Sequence, residues 1–459
     1  MTILSLDPNA PSRYGAIVQA LRRDILAGKL QPGERLPTHR ELADSLGVAV
    51  GTVTRAYAEA ERQGLVQGEI GRGTFVRGPR SQSPRPVHEG DDTPGFVDLS
   101  LNYPLYCEDP DLSTSLTSLA RHDELHRLLQ YQANEGIDRH RAVGAAWIGR
   151  FGVEVAPSSV VVCSGAQHAL LCTFAAVTKP GDLVLTESLT YPGAHGVADL
   201  LHVKLLGVAT DGEGMRPDAL AAICRRRKAR ALYLTPTLQN PTSTILPEGR
   251  RREIVEIAKA HDLWIMEDDV HRRLVPDAPA ALATLAPDRT FFIAGTSKSV
   301  SGGLRVAFLA CPPTMIGRVA QSVWATIWMV PPLCAEIVCR WIEDGTAEAT
   351  VSRKRTEAKA RQAIAREILG AFSFRAHEHG LYLWLELPEP WTSAGFAAAA
   401  GRRGVGVTSS DVFLVGDGEP PAAVRICLGA PGNRDTLAHA LRVVAGLLSS
   451  APGAAASIV

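Results

Sequence analysis

Short apolar runs alternate with stretches of helical periodicity from about Phe96 onward, and this alternation constrains the fold more than any other feature of the chain. The clearest runs are VVVC at 160–163, LVLTE at 183–187, LYLT at 232–235, LWIM at 263–266 and FFIA at 291–294. Parallel strands are joined by helical crossovers and are buried on both faces, so they appear as short apolar runs separated by helices. The sequence therefore predicts an α/β architecture with a largely parallel sheet.

Polar residues follow each of these runs, where an open α/β sheet binds its ligands. The segments are SGAQ at 164–167, YPG at 191–193, PTLQNPT at 236–242, EDD at 267–269 and GTSK at 295–298. At SGAQ, a strand, a turn of small residues and a helix amino terminus can together hold an anion with free backbone N–H groups. The sequence predicts a ligand site at the carboxyl ends of the strands.

Lys298 has the most specific chemistry in these segments. It leaves a buried strand, and Arg305 follows seven residues later with glycines between the two. Lysine is seldom placed beside an apolar run unless its amine has a charged partner or a chemical function. One interpretation is a Schiff-base lysine for pyridoxal phosphate, with Arg305 on the phosphate. The other is a surface turn with two solvated cations, and this stretch alone does not decide between them.

The first eighty residues have a different organisation. Apolar residues at helical spacing predict helices over 14–27 and 51–63, and a shorter helix that begins after Thr38. Thr38 followed by Glu41 is a capping-box pattern. Two helices joined by a short glycine-containing turn indicate a helix-turn-helix, and the apolar residues on either side of 68–73 predict a two-stranded wing.

The motifs LPTHRELA at 36–43, LGV at 46–48, TVTRAY at 52–57, GLV at 64–66 and GRGTFV at 71–76 resemble the GntR family of winged helix-turn-helix regulators. The resemblance implies that seven residues contact operator DNA: Arg40, Thr52, Arg55, Gly71, Arg72, Gly73 and Thr74. Threonine and arginine suit this role as donors to phosphates and base edges. Val50 stands where the family usually has an arginine, and its side chain can only touch a methyl group, so we expect an unusual operator.

A linker separates this domain from the α/β part. Residues 79–95 (PRSQSPRPVHEGDDTPG) are rich in proline, glycine and charge, and they have no apolar period. The predicted organisation is a DNA-binding domain at 10–78, a linker at 79–95 and an α/β domain at 96–459.

The polar segments of the α/β domain match the needs of pyridoxal phosphate. The cofactor requires a lysine, a carboxylate for its pyridine nitrogen, a donor to its ring hydroxyl, phosphate ligands and a flat stacking partner. The segments and Arg305 supply these in an order that resembles the fold type I aminotransferases over roughly residues 96–450. Together with the GntR-like domain, the arrangement resembles the MocR subfamily of regulators.

The aminotransferase resemblance implies a role for each position. Four residues would hold the cofactor ring: Lys298 by a covalent bond as the catalytic residue, Asp268 at N1, Asn240 at the ring hydroxyl and Tyr191 by stacking. Six would meet the phosphate: Gly165, Ala166, Gln167, Thr296, Arg305 and, from the neighbouring subunit of a homodimer, Tyr131. Arg425 would bind the carboxylate of a substrate.

Simpler structural roles stay open for three of these residues. Asn240, which precedes Pro241, is also a residue that starts turns, and Tyr191 is equally suited to be a core aromatic. Arg425 would otherwise be an exposed cation on a strand.

Three departures from the aminotransferase pattern bear on activity. Val270 and His271 stand where a tyrosine commonly helps to hold the ring hydroxyl, and His271 either substitutes for it or leaves the contact missing. Thr296-Ser297 is shorter than the usual hydroxyl-aromatic-hydroxyl run, and DRHR at 138–141 replaces an expected Leu-Arg. A working transaminase moves protons repeatedly at its lysine, and this cycle requires accurately positioned groups. These departures favour sensing over turnover.

Composition limits the remaining classes of function. The chain has 48 Lys and Arg against 48 Asp and Glu, so DNA binding has to come from a local surface. The eight cysteines show no CxxC spacing, so we expect neither disulfides nor a metal site. We find no secretion signal and no run of about 18 apolar residues, and we expect a cytoplasmic protein without a membrane segment. We interpret the RRRK run at 225–228 as the solvated face of a helix rather than a DNA patch.

Three functions are compatible with this sequence. The favoured one is a transcriptional regulator that binds pyridoxal phosphate and an amino-compound effector. The second is an active aminotransferase with an incidental DNA-binding domain. The third, an inactive aminotransferase fold used for dimerisation, conflicts with the presence of both Lys298 and Asp268.

Overall fold

A computed structural model of the chain describes residues 12–26, 29–30, 34–62, 65–69, 73–76, 95–121 and 125–449. The chain forms two compact units, Met1–Pro86 and Val87–Val459. Among the helices of the described ranges, none is long and apolar enough to cross a lipid bilayer.

The amino-terminal unit contains three helices and a two-stranded wing. They are α1 (Arg13–Leu26), α2 (His39–Leu46), α3 (Val50–Arg62), β1 (Val66–Glu69) and β2 (Gly73–Val76). The predicted capping box starts α2, because the Glu41 N–H donates to the Thr38 hydroxyl and the Thr38 N–H donates to the Glu41 carboxylate. Gly47 ends α2 with a φ of 62°, which favours glycine. The predicted winged helix-turn-helix is confirmed.

The core of this unit forms where α1 packs on α3. Ile17 and Leu21 of α1 and Val53 and Ala60 of α3 are buried together. Tyr57 of α3 is also buried, and its hydroxyl donates to the Pro37 carbonyl at 2.8 Å. This bond fixes the turn before α2 to α3.

The carboxy-terminal unit is built of alternating strands and helices. Its strands are β3 (Val97–Asp98), β4 (Val160–Cys163), β5 (Leu183–Glu187), β6 (Lys204–Val208), β7 (Thr210–Asp211), β8 (Gly214–Met215), β9 (Ala231–Leu234), β10 (Trp264–Asp268), β11 (Thr290–Gly295), β12 (Ala307–Ala310), β13 (Phe374–Ala376), β14 (Tyr382–Glu386), β15 (Val405–Gly406), β16 (Thr408–Ser409) and β17 (Ala423–Cys427). Its helices are α4 (Leu112–Ala120), α5 (Asp138–Gly149), α6 (Ala166–Val177), α7 (Pro192–Leu200), α8 (Pro217–Arg226), α9 (Glu248–Ala260), α10 (Leu282–Leu285), α11 (Ile316–Ile327), α12 (Pro332–Glu343), α13 (Thr346–Leu369), α14 (Ser393–Arg402) and α15 (Arg434–Leu448).

Seven strands form the central sheet in the order β4-β12-β11-β10-β9-β5-β6. β12 runs antiparallel to both of its neighbours, and the remaining neighbours pair in parallel. Alternate residues of β4 enter different cores, Val160 and Val162 on one face and Val161 and Cys163 on the other. The predicted α/β architecture with a largely parallel sheet is confirmed.

A smaller antiparallel sheet has the order β13-β14-β17-β16 and packs with α13, α14 and α15 around its own core. β3, the first strand after the linker segment, pairs in parallel with β15. The beginning of this unit is therefore tied to its carboxy-terminal part.

The unexpected DRHR segment at 138–141 has a structural explanation. Asp138 begins α5, where a carboxylate suits the helix amino terminus. Arg139 forms an ion pair with the mostly buried Glu336 of α12, and His140 Nε2 lies 3.1 Å from the same carboxylate. Arg141 donates to the Val160 carbonyl at 2.9 Å. These residues join α5 to α12 and to the start of β4, which accounts for the departure without reference to a ligand.

The loop after β9, which contains Asn240, is held by a buried arginine. Arg251 of α9 is fully buried and donates to the carbonyl groups of Leu246 at 2.8 Å and Pro236 at 2.9 Å. It also reaches the Thr237 hydroxyl at 3.1 Å. One side chain thus fixes both ends of the loop.

We predict that Arg251→Met destabilises the chain by about 3 kcal/mol, because it leaves several buried acceptors without a donor. The measurement is equilibrium unfolding in denaturant. Arg252→Ala is the matched control: this neighbour is exposed, and its one ion pair among the described residues is with Glu248 one turn earlier, so its loss costs no more than about 0.5 kcal/mol. Equal destabilisation by the two variants would show that the buried arginine does not hold the loop.

Candidate functional site

The predicted site segments lie at one edge of the central sheet, because its parallel strands bring their carboxyl ends together. Gly165 follows β4, Tyr191 follows β5 and Asn240 follows β9. Asp268 ends β10, and Lys298 lies three residues beyond the end of β11. The fold places all five around one region, as expected.

Asp268 is a buried carboxylate with one free oxygen. Only 6% of the residue is exposed, and Oδ2 accepts a hydrogen bond from the Tyr233 hydroxyl at 3.0 Å. Oδ1 is buried and has no hydrogen-bond partner among the described residues. Burial raises the pKa of Asp268 to about 7, although the Tyr233 hydrogen bond acts in the opposite direction. A buried acceptor of this kind fits a cationic N–H group such as a protonated pyridine nitrogen.

Lys298 has an amine that is easily deprotonated. Burial lowers its pKa to about 8, and the positive charges of Arg425 and Arg305 lower it further. The Nζ atom donates to the carbonyl oxygen of Asn102. An amine with this pKa is partly neutral at physiological pH, which is the form that attacks a carbonyl group.

Asn240 and Arg425 are brought together by the two sheets. Arg425 of β17 is buried, and its Nη1 donates to the Asn240 side-chain oxygen at 2.8 Å. Its Nη2 donates to the Ser100 carbonyl at 2.6 Å, and its Nε is buried without a partner among the described residues. The amide of Asn240 can therefore offer only its NH2 end to a ligand. Arg425 is not the exposed strand cation of the alternative interpretation.

A candidate anion site lies where Arg305 meets the start of α6. Gly165 has a φ of 82°, and a Cβ on it would stand 2.8 Å from Cζ of Arg305. Arg305 Nη1 donates to the Ser297 hydroxyl at 3.0 Å. Because α6 begins at Ala166, its first N–H groups lack partners within the helix, and Gly165 brings this end of the helix against the guanidinium. A phosphate would find backbone donors, a hydroxyl and a fixed cation there.

The side chains of Thr296 and Gln167 are partly committed to other contacts. The Thr296 hydroxyl is buried and donates to the Val306 carbonyl at 2.7 Å. The sequence leaves open which hydroxyl of Thr296-Ser297 meets the phosphate, and Ser297 is the one that accepts from Arg305. Gln167 donates to the Gly193 carbonyl at 3.0 Å, and its side-chain oxygen is buried without a partner among the described residues.

Tyr191 lies close to the charged groups of the site. Burial raises the pKa of Tyr191, and the negative charge of Asp268 raises it further. A Cβ on Gly193 would stand 2.6 Å from Cζ of the Tyr191 ring, so glycine leaves room for the ring to lie against the backbone. Stacking of this ring on a cofactor stays a prediction.

His271 lies beside Asn102, the acceptor of the Lys298 amine. His271 is buried, its Nε2 lies 3.2 Å from Nδ2 of Asn102, and its ring meets the Tyr382 ring edge-on at 5.5 Å. Burial lowers the pKa of His271 to about 3, and the nearby charges of Lys298 and Arg425 lower it as well. Val270 packs against Gly295, since a Cβ on that glycine would lie 2.9 Å from Cγ1 of Val270. The His271 ring is thus neutral at physiological pH.

Three residues of the site were missed from the sequence: Asn102, Tyr233 and Tyr382. Tyr233 is the only polar side chain in the apolar strand β9, which was an available signal. Asn102 and Tyr382 come from distant segments, and no pattern in the sequence connects them with Lys298.

Tyr131 is not part of this cluster. The residue is 83% exposed and stacks on Trp328 with ring centroids 5.6 Å apart. Its proposed contact with the phosphate of a neighbouring subunit stays a prediction.

In the amino-terminal unit, Arg40 and Arg55 are exposed and Thr52 is half-buried. The Arg55 guanidinium lies 4.3 Å from the centroid of the Tyr14 ring. Gly71 and Arg72 lie outside the described residues.

Two other residues that we predicted to meet DNA lie in β2 of the wing. Gly73 begins this strand with a φ of 119°, and Thr74 follows it, pairing with Gly68 of β1. Val50 begins α3 and is 43% exposed, so an apolar side chain occupies the position of the missing arginine.

Comparison with known proteins agrees with both units. The model of aminotransferase class I and II matches residues 94–444, and the model of bacterial regulatory proteins of the gntR family matches residues 13–76. The HTH-type transcriptional regulator YdeF of Bacillus subtilis is 30% identical over 451 residues, covering 97% of this chain and 96% of that protein. The HTH-type transcriptional regulator TauR of Rhodobacter capsulatus is 28% identical and covers 88% of this chain and 91% of that protein.

Among solved structures, LysN, the alpha-aminoadipate aminotransferase of Thermus thermophilus complexed with N-(5'-phosphopyridoxyl)-L-leucine, superposes with a TM-score of 0.70 at 26% identity. The superposition covers 77% of this chain and 92% of that one.

We predict that Asp268→Asn stabilises the cofactor-free protein at pH 8 more than at pH 4. The folded carboxyl, with a pKa of about 7, keeps its proton where the unfolded chain has already lost it, so wild-type stability falls as pH rises from about 4 to 7. The asparagine variant lacks this loss, which is about 4 kcal/mol. Thermal unfolding from pH 4 to 8 measures it, with the exposed Asp288→Asn as control. A difference from wild type that does not change with pH would contradict the burial argument.

Proposed function

We propose a regulatory function for this chain, because it belongs to the aminotransferase class I and II family and carries a gntR-family regulatory domain ahead of that domain. It is a DNA-binding transcriptional regulator that depends on pyridoxal phosphate and acts on operator DNA in the cytoplasm. The observation that carries this proposal is the hydrogen bond from Lys298 to the Asn102 carbonyl, which links the cofactor lysine to the segment that follows the linker.

The chain offers a suitable partner for each part of pyridoxal phosphate. The unpaired oxygen of Asp268 suits the protonated pyridine nitrogen, and the NH2 end of Asn240 suits the ring hydroxyl. The phosphate would be held at the start of α6 by Arg305 and Ser297. When bound through Lys298, the cofactor supplies a carbonyl carbon that captures amines and a ring that withdraws electrons from them.

Arg425 gives the effector its second recognition element. Its guanidinium is buried, its Nε has no partner among the described residues, and a planar fork suits a carboxylate. A small compound that carries both an amine and a carboxylate could bind the cofactor at Lys298 through its amine and Arg425 through its carboxylate. We therefore propose an amino acid or a close analogue as effector.

Ligand binding would change the hydrogen bonds of the segment just after the linker. Arg425 donates to the Ser100 carbonyl, and Lys298 donates to the Asn102 carbonyl. A cofactor that engages the Lys298 nitrogen, or a carboxylate that engages Arg425, takes a donor away from this backbone. Residues 100–102 then lose hydrogen bonds in a way that depends on the ligand, which provides a route from the site toward the DNA-binding domain.

The replacement of the expected tyrosine supports sensing rather than turnover. Val270 stands at its position, and His271, whose Nε2 lies 3.2 Å from Nδ2 of Asn102, is held neutral by its low pKa and supplies no charge in its place.

A homodimer is the assembly that this surface supports. Six large apolar side chains are exposed on the segments around α11: Leu129, Tyr131, Trp324, Ile327, Trp328 and Leu333. Trp328 stacks with Tyr131 at 5.6 Å and with Trp324 at 6.0 Å, so the aromatic members form one patch. Exposed patches of this kind mark protein interfaces, and a second copy of the chain would also bring Tyr131 toward a neighbouring cofactor.

We predict that Lys298→Ala loses the visible absorbance of bound cofactor and the response of operator binding to amino acids. The change removes the nitrogen that bonds to the cofactor and donates to Asn102. Absorbance spectra and footprinting upstream of the chain's own gene, with and without pyridoxal phosphate and candidate amino acids, measure both effects. Lys359→Ala is the control, because that lysine is exposed and forms an ion pair with Glu378 on the surface.

An unaltered ligand response in Lys298→Ala would reject the cofactor switch. Sustained conversion of an amino acid and a keto acid by a wild-type chain that binds no operator would favour the aminotransferase alternative.

We predict that Trp328→Asp converts the dimer to a monomer, with a dissociation constant raised at least 100-fold, because a charge would be buried in an apolar interface. Light scattering coupled to gel filtration measures the mass over a dilution series. Leu200→Asp places the same charge on another exposed apolar residue, on α7, and should leave the mass unchanged. Identical masses for the Trp328 variant and the wild type would exclude this patch as the interface.

A further inference from the structure

The RRRK run at 225–228 is not a single helix face. α8 ends at Arg226, and Arg227 has an extended backbone with φ of −136° and ψ of 134°. All four side chains are exposed, and together with His261 they line an open cavity of about 300 Å³. The run therefore spreads its charges around a concave surface instead of along a helix.

This cavity lies at the amino-terminal edge of the central sheet, opposite the cofactor site. The run precedes β9, which starts at Ala231, and His261 precedes β10, the neighbouring parallel strand. Lys204 begins β6 and Arg230 immediately precedes β9, so further cations belong to the same edge. Because these strands are parallel, their amino ends cannot reach the edge that holds Lys298.

The four cations of the run differ from other charges on the same edge. Arg289 has Asp288 at 3.3 Å and Lys259 has Glu256 at 2.9 Å. In the described part of the chain, no carboxylate lies within 4.0 Å of the charged groups of residues 225–228. One or two cations suit the carboxyl end of a helix, but four consecutive ones exceed what the helix dipole requires.

Two features of α3 bear on its contacts with DNA. Val50 stands where an arginine is usual at the start of α3, and the Arg55 guanidinium lies over the Tyr14 ring at 4.3 Å. Affinity for DNA comes largely from cations that neutralise phosphates. Phosphate contacts from another surface of the chain would add to this affinity.

We infer that the basic surface formed by residues 225–228 and His261 is a second DNA-backbone contact on the large unit. This inference rests on the proposed DNA-binding function. The partner is the phosphate backbone of duplex DNA that flanks the operator, and the contact is independent of base sequence. Four exposed cations in a row suit a row of phosphates better than a small anion, which needs donors fixed around one point.

The test compares two matched double variants of the full-length chain. Arg226→Ala/Arg227→Ala removes the cations in the last turn and at the cap of α8. Arg402→Ala/Arg403→Ala removes the two cations at the equivalent positions of α14, its last helical residue and its cap. Both are exposed, as in α8. Binding is measured by fluorescence anisotropy over a salt series, on the footprinted operator alone and on the operator extended by about 20 base pairs on each side, which is two helical turns.

On the extended fragment, we expect the α8 variant to bind about tenfold more weakly than wild type at physiological salt. The slope of log K against log salt should become shallower by about 2 for each copy of the basic surface that contacts the DNA, since each copy loses two phosphate contacts. The α14 variant should behave as wild type. On the operator alone, all three proteins should bind equally.

Equal slopes for the α8 and α14 variants on the extended fragment would overturn the inference while leaving operator binding intact. Loss of binding by the α8 variant on the short fragment as well would also overturn it, because the effect would then not depend on flanking DNA. Failure of the wild type to bind either fragment would reject the proposed function itself, and the inference with it.

Discussion

Three consecutive buried carboxylates at the end of β10 determine how the site is built. Glu267 and Asp269 are fully buried and Asp268 nearly so, and burial raises the pKa of all three. Such a cluster is stable only if its members have separate partners. Glu267 accepts from the backbone N–H groups of Leu282 and Ala283 at 2.9 and 2.8 Å, and Asp269 lies 3.4 Å from Arg272. Asp268 is the one that we assign to the ligand; one oxygen of Asp268 and one of Asp269 have no hydrogen-bond partner among the described residues.

The outer two carboxylates also hold the loops that carry the rest of the site. Arg251, which lies 3.8 Å from Glu267, ties down the loop with Asn240, and Arg272 donates to the carbonyl of Pro279 at 2.6 Å. These buried pairs add little net stability, because desolvation offsets much of their attraction. They specify positions instead: Asn240 and Asp268 are fixed relative to each other before any ligand arrives.

The sequence was sufficient to predict what depends on local pattern. Strand ends, the capping box at Thr38 and the order of Gly165, Asp268 and Lys298 follow from apolar periodicity, turn chemistry and a family resemblance. The direction of a side chain is set by packing and is not encoded locally. Thr296 and Ser297 are adjacent hydroxyls, and only the fold turns one toward Val306 and the other toward Arg305. Asn102 likewise reaches Lys298 across nearly two hundred residues, which no periodicity can reveal.

The segment with Ser100 and Asn102 has a thermodynamic consequence. Its carbonyl groups serve as acceptors for Arg425 and Lys298, so its free energy depends on what those two side chains bind. If this segment also influences how the chain holds DNA, the two binding equilibria are linked, and linkage is reciprocal. Operator DNA then changes the affinity for the amino-acid ligand by the same factor by which the ligand changes the affinity for DNA. The protein's apparent sensitivity to its effector would accordingly differ between molecules on the operator and molecules free in solution.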